Sequence, residues 1–204
     1  MKLKHLLLTV AILGIAAPSF ADNVKVVVIR AGKLVDVVAG TVLKDQTIVI
    51  TGERIASVGP SASITAPSGA QVIDLSSQTV LPGLIDVHTH LTGDPYLGGY
   101  NALGVSDTRA ALYGVRAARK TLEAGFTSVR NVGAGGFGDV ALRDAINEGD
   151  FIGPRMRTAG YAIGIQGGHC DENLLPADMK FTGRGVADGP WQAREGARDG
   201  QVWR

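Results

Sequence analysis

Two histidines two positions apart, His88 and His90, are the side chains of this 204-residue sequence whose type and spacing point most directly to chemistry. They lie in the run Leu84-Ile85-Asp86-Val87-His88-Thr89-His90-Leu91, where Ile85, Val87, Thr89 and Leu91 alternate with Asp86, His88 and His90. A period of two predicts a strand with Asp86, His88 and His90 on one face. Cβ atoms two residues apart on a strand are separated by roughly 6.6 Å. Two imidazoles leaning toward each other close that gap around one ion held about 2.0–2.1 Å from each donor nitrogen. A spacing of one or three would send the rings to opposite faces. The plainer alternative is the solvated face of an edge strand. Against it, the run is otherwise apolar or β-branched, and a buried strand does not normally carry two imidazoles and a carboxylate on one face without a partner for them. His88 and His90 are therefore expected to bind a divalent metal, zinc by preference. Asp86 either orients a histidine or satisfies nearby backbone donors.

Other candidates sit downstream. His169, in Gly167-Gly168-His169-Cys170-Asp171, is read either as a contact to a substrate carboxylate or carbonyl or as a loop histidine bonded to its own backbone. Arg130 and Asn131, at the end of a second strand over 126–132, are weaker candidates of the same kind. Cys170 is the one cysteine, which excludes an intramolecular disulfide. A catalytic thiol there would need His169 as its base, but adjacent residues on an extended segment point apart. Trp191 and Trp203 read as helix packing residues.

The elements that must position these residues fall into two groups. Residues 24–81 are β-rich: 24–30, 32–38 and 40–43 are β-branched runs broken by glycine, 47–50 and 55–58 flank the turn Thr51-Gly52-Glu53-Arg54, and 71–75 and 79–83 follow a Ser/Ala/Pro loop. From residue 84 strands and helices alternate. Residues 108–123 place Ala111, Leu112, Val115, Ala118 and Leu122 on one helical face, with Gly125 as a C-terminal cap signal. Residues 126–132 form a second strand. Asp139 reads as the N-cap of a helix over 140–148 ended by Gly149. Residues 155–159 form a third strand, 160–189 a glycine-rich loop, and 191–203 one more helix.

The run Pro82-Gly83-Leu84-Ile85-Asp86-Val87-His88-Thr89-His90 resembles the first barrel strand of the amidohydrolase superfamily, with its His-x-His. The β-rich leader, Phe126-Thr127-Ser128-Val129-Arg130-Asn131-Val132-Gly133 one helix later, and Gly167-Gly168-His169-Cys170-Asp171 agree with it. The branch it is most similar to holds the exported Xaa-Pro and Xaa-amino-acid dipeptidases, next to imidazolonepropionase-like proteins. The resemblance implies an α/β fold: the N-terminal part of a (β/α)8 TIM barrel over 82–204, preceded by a small β-sandwich-type domain over 22–81. It also implies one or two metal ions activating water against an amide or peptide C–N bond of a small-molecule or dipeptide substrate. Members of that branch assemble the metals from the His-x-His pair, a bridging carboxylated lysine, two later histidines and a late aspartate acting as general acid/base. Only His88 and His90 carry over. No lysine follows Lys180, which lies in the loop, and no catalytic residue can be assigned. A (β/α)8 barrel takes about 250 residues, whereas residues 84–204 number 121. The expectation is therefore the N-terminal piece of a dipeptidase-like hydrolase, inactive by itself. The rival reading is a non-catalytic metal-binding fragment or periplasmic metal-binding module.

Composition excludes other classes. With 45% hydrophobic and 19% charged residues and a formal net charge of +1, nothing marks a nucleic-acid partner or an anionic membrane surface. Residues 1–21 read as a signal peptide: Lys2 and Lys4, an apolar run over 6–17, and the small-x-small site Ser19-Phe20-Ala21. That apolar run is too short to cross roughly 30 Å of hydrocarbon, so export to the periplasm or medium is expected without a stable membrane anchor. A partial barrel is expected to leave inner-face residues such as Val87 and Val129 partly uncovered, and a homo-oligomer is compatible with its exposed sheet edge.

Overall fold

The computed structural model describes residues 25–171, 174–176, 178–179 and 181–202. The signal-peptide reading, Lys180 and Trp203 lie outside the described residues. The chain divides into two compact units, Met1–Leu81 and Pro82–Arg204.

The first unit is a four-stranded sheet of β1 (Val26–Asp36), β2 (Thr41–Thr51), β3 (Arg54–Pro60) and β4 (Gln71–Val80), in the order β3-β2-β1-β4. β1 pairs antiparallel with β2, with Val28 opposite Val49, and parallel with β4, with Val28 opposite Val72. Val28, Ala31, Ile48 and Val49 are buried. The β1–β2 turn is held by Asp36, whose Oδ1 accepts from the backbone N–H of Val38 and Ala39, both at 3.0 Å, and Gly40 supplies the left-handed residue at φ +66°. The glycines at 32 and 40 suggested breaks, yet β1 runs straight through Gly32. The pairing with β4 shifts between Ala31 and Lys33, and a Cβ at Gly32 would overlap the Ser76 carbonyl. This glycine marks a bulge and a close backbone approach within a strand, not its end. The 47–50/55–58 hairpin forms as β2 and β3 around Gly52 (φ +60°).

The second unit holds a parallel three-stranded sheet, β5 (Leu84–Thr89), β6 (Phe126–Asn131) and β7 (Arg155–Thr158), in that order. α1 (Asp107–Glu123) joins β5 to β6, α2 (Gly138–Glu148) joins β6 to β7, and α3 (Pro190–Val202) follows the long loop. Ser106 caps α1 by accepting from the Arg109 N–H at 3.3 Å, and Gly125 at φ +96° ends it with its N–H on the Leu122 carbonyl. Leu91, Ala118, Val129, Leu142 and Met156 form the buried core, with Val115, Ala117, Phe126 and Ile146 packed against it.

Three expectations from the sequence change here. Leu112 is 66% exposed, because the face of α1 that meets the core runs through Gly114 and Ala118 instead. Val129, expected to lie partly uncovered on an incomplete barrel's inner face, is only 3% exposed, because it belongs to the layer covered by the two crossover helices. Asp139 is not the N-cap of α2. That position belongs to Phe137 in the left-handed region at φ 54°, and Asp139 lies inside the first turn, fully buried. Its carboxylate is taken by tertiary partners described below.

Candidate functional site

β5 delivers His88 and His90 to one end of the parallel sheet, past which the chain turns at Leu91 and Thr92, both buried. The two rings meet edge to face, with centroids 5.5 Å apart and planes at 65°. An ion about 2.0–2.1 Å from a ligating nitrogen lies about 3 Å from that ring's centroid, so two tetrahedral imidazole ligands have centroids roughly 5 Å apart. The observed separation fits such a pair. His90 has a second fixed contact, between Nδ1 and the Gly133 carbonyl at 3.2 Å. A carbonyl oxygen only accepts, so this bond places a proton on Nδ1; in the neutral ring Nε2 then carries the lone pair, the usual state of a ligating histidine. His88 and His90 are both exposed, because β5 is an edge strand of the described sheet and not the buried strand that the apolar run suggested; the His88 ring has no hydrogen bond among the described residues. Asp86 satisfies a backbone donor: its Oδ1 accepts from the His88 N–H at 3.0 Å, so of the two roles open to it from sequence the structure displays the local one.

Behind His90 lies a polar cluster inside the protein. Asn131, fully buried at the end of β6, accepts from the Leu91 N–H through Oδ1 at 2.7 Å. Its Nδ2 donates to the Gly133 carbonyl at 3.1 Å and to Asp139 Oδ2 at 3.2 Å. Asp139 Oδ2 also accepts from the N–H groups of Ala159 and Gly160, at 3.3 and 3.2 Å. The ends of β5, β6 and β7 and the first turn of α2 are thus tied at two side chains.

In front of His90 is a cavity of about 560 Å³ whose lining includes Asp107, Tyr161, His169, Cys170 and Arg184. That volume lies in the range of small-molecule sites. His169 therefore shares a cavity with His90, whereas His88 is not among the residues lining it. The loop is shaped by a parallel bridge between Gly164 and Val186 and by Asp171, which accepts from the N–H groups of Gly167 and Gly183 at 2.8 and 3.1 Å. Tyr161 packs edge-on against Phe137 at 4.9 Å, receives the Gly136 N–H at 3.0 Å, and has the Arg184 guanidinium 3.4 Å from its hydroxyl.

The Amidohydrolase family profile matches residues 79–198, which contain β5 with its histidine pair and all of the second sheet. The chain belongs to the amidohydrolase family. Among curated relatives, the ochratoxinase of Aspergillus niger is 34% identical over 180 residues, covering 84% of this chain and 36% of its own length. A solved Xaa-Pro dipeptidase with methionine bound in its active site superposes with a TM-score of 0.77 at 33% identity, over 88% of this chain and 45% of that one. A solved prolidase complexed with N-methylphosphonate-L-proline superposes with a TM-score of 0.74 at 29% identity, over 88% and 44%. The chain thus spans less than half the length of these amidohydrolases, and its α/β architecture corresponds to an N-terminal part of their fold with its sheet domain.

Sequence reasoning singled out Asn131 as a site candidate, and the structure places it behind the site. Its signal was an amide at the end of the second strand, where an unpaired side chain is costly to bury. Asp139 was misassigned because a carboxylate near a helix start has an ordinary local explanation. Tyr161, Arg184 and Asp107 reach the cavity from three separate segments and carry no periodic signal. Trp191, read as a packing residue, is 75% exposed with the Arg194 guanidinium 5.2 Å from its ring centroid. Among the described residues no three His, Cys, Asp or Glu side chains cluster as a metal site.

Proposed function

We propose that this chain carries the first metal ligands and part of the substrate cavity of an exported, metal-dependent hydrolase of C–N bonds, acting on dipeptide-like substrates. The observation that carries this reading is the His88–His90 pair, ring against ring, with His90 held by the Gly133 carbonyl at the wall of a cavity that also contains His169. His88 and His90 would hold a divalent ion, zinc by preference, through imidazole nitrogens. Bound there, the ion would bring a water's pKa toward neutrality and polarise a scissile carbonyl. The chain's own residues do the rest: His90 presents Nε2 beside the cavity, and His169 hydrogen-bonds a carboxylate or carbonyl of the substrate. Dipeptidase and prolidase neighbours support the substrate class. Ochratoxinase supports the broader assignment to amide hydrolysis. A catalytic zinc takes three protein ligands and a water, so we infer that the chain on its own binds metal loosely and lacks hydrolase turnover.

The test is metal analysis of the purified chain dialysed against zinc, alongside hydrolysis of a panel of dipeptides. About one zinc per chain is expected, with His88→Ala and His90→Ala each removing most of it. Unchanged metal content in both variants would refute the ligand assignment.

A further inference from the structure

We propose that Asn131, backed by Asp139, is a positioning residue for His90, acting through the Gly133 carbonyl that both side chains share; this rests on the reading of His90 as a metal ligand. The Gly133 oxygen receives two donors, His90 Nδ1–H at 3.2 Å and Asn131 Nδ2–H at 3.1 Å. A peptide oxygen has two lone pairs, so these two bonds use its full accepting capacity and fix the carbonyl's direction. Asn131 is itself held on every polar atom. Oδ1 takes the Leu91 N–H, the next backbone donor after His90, and Nδ2 is shared with Asp139 Oδ2. Asp139 in turn is anchored by the N–H groups of Val140, Ala159 and Gly160. The cluster therefore grips His90 twice, at the ring through Gly133 and at the backbone just beyond it through Leu91. Both Asn131 and Asp139 are fully buried, and low surrounding polarity strengthens such bonds and penalises any loss of one. Gly133 completes the arrangement. A Cβ there would stand 3.1 Å from the Ala162 Cβ and 3.4 Å from His90 Cε1, so the bare backbone lets the carbonyl lie alongside the ring. A network that served packing alone would have no need to saturate the one oxygen that sets the His90 tautomer.

The first measurement needs no variant. Long-range proton–nitrogen NMR of the metal-free chain, above the ordinary imidazole pKa of about 6.5, should show His90 as the Nδ1–H tautomer. Zinc addition should move the Asn131 side-chain amide resonance with the same concentration dependence as the His90 ring. An Nε2–H tautomer, or an Asn131 amide indifferent to zinc that does move His90, overturns the proposal. If zinc moves neither histidine ring, the metal reading fails by itself, and the tautomer still decides the positioning role. The second measurement uses Asn131→Asp combined with Asp139→Asn. The pair keeps one negative charge and an acceptor for the Leu91 N–H, but loses the amide donor to Gly133. With a cooperative fold retained, the metal-free His90 should become a tautomer mixture, and zinc affinity should fall about tenfold or more, the scale of outer ligand-supporting contacts. Asp139→Asn alone keeps the donor and should keep the wild-type tautomer. A folded double variant with unchanged tautomer and affinity also overturns the proposal.

Discussion

At the scale of single residues, the same local hydrogen bond recurs: an aspartate side chain accepts from the N–H two residues on. Asp86 does this beneath His88, Asp94 toward Tyr96, and Asp74 toward Ser76 at 2.9 Å. At Asp74 the Ser76 N–H, then the Ser76 hydroxyl, hold the carboxyl below its ordinary 3.8, with Arg30 adding to the effect and burial opposing it. A carboxyl with a lowered folded-state pKa contributes stability above its unfolded value, and that contribution is lost as pH falls through the folded value. Carbon-13 titration of the Asp74 carboxyl should therefore give a midpoint below 3.8. Ser76→Ala should raise it only partway, because the larger contribution is the backbone N–H, which survives the substitution. A midpoint at or above 3.8 in the unmodified chain would refute the bond.

At the scale of elements, the site depends on how closely α1 approaches the end of β5. Gly114 on α1 is buried, and a Cβ there would stand 3.1 Å from both Leu142 Cδ2 on α2 and Thr92 Cγ2, two residues beyond His90. Glycine costs a helix interior about 1 kcal/mol relative to alanine, and here that cost is offset by letting two helices and the strand end meet. Gly114→Leu should lower the unfolding free energy by about 1–3 kcal/mol, the range for overpacking a filled interior. Urea denaturation should show a lower midpoint with an unchanged slope. A midpoint equal to that of the unmodified chain would mean that α1 is free to move away from Thr92.

At the scale of the molecule, the second unit's sheet has three strands, with β5 and β7 each paired on one side among the described residues. Ile85 and Val87 are 68% and 65% exposed. Apolar strands with open edges associate readily. The isolated 204-residue chain should therefore self-associate at concentrations where its charge of +1 gives little repulsion. Sedimentation and the unfolding transition, recorded with and without zinc, test this together with dipeptide turnover. A monodisperse monomer with a sharp transition and metal-dependent turnover would contradict it. Export is checked by N-terminal sequencing of protein recovered outside the cytoplasm, where Asp22 is the expected first residue.

The alternation around His88 and His90, the extents of α1 and α2 and the glycines at 125 and 149 were legible in the sequence, because each depends on residues a few positions apart. The His-x-His pair was legible for the same reason: a period of two fixes the shared face whatever surrounds the strand. Tertiary structure alone decided what lies on the other side of each element. It turned Leu112 outward, made Gly32 a bulge beside Ser76, and drew Asp139 from a capping role into the Asn131 cluster. It also brought His169, Tyr161 and Arg184 to the cavity beside His90. Most of these outcomes depend on contacts between residues about 20 to 95 positions apart, the Asn131–Asp139 bond over 8 positions being the exception, and the partners are chosen by packing and by the cost of leaving a buried polar group unpaired. Local pattern carries no record of that choice.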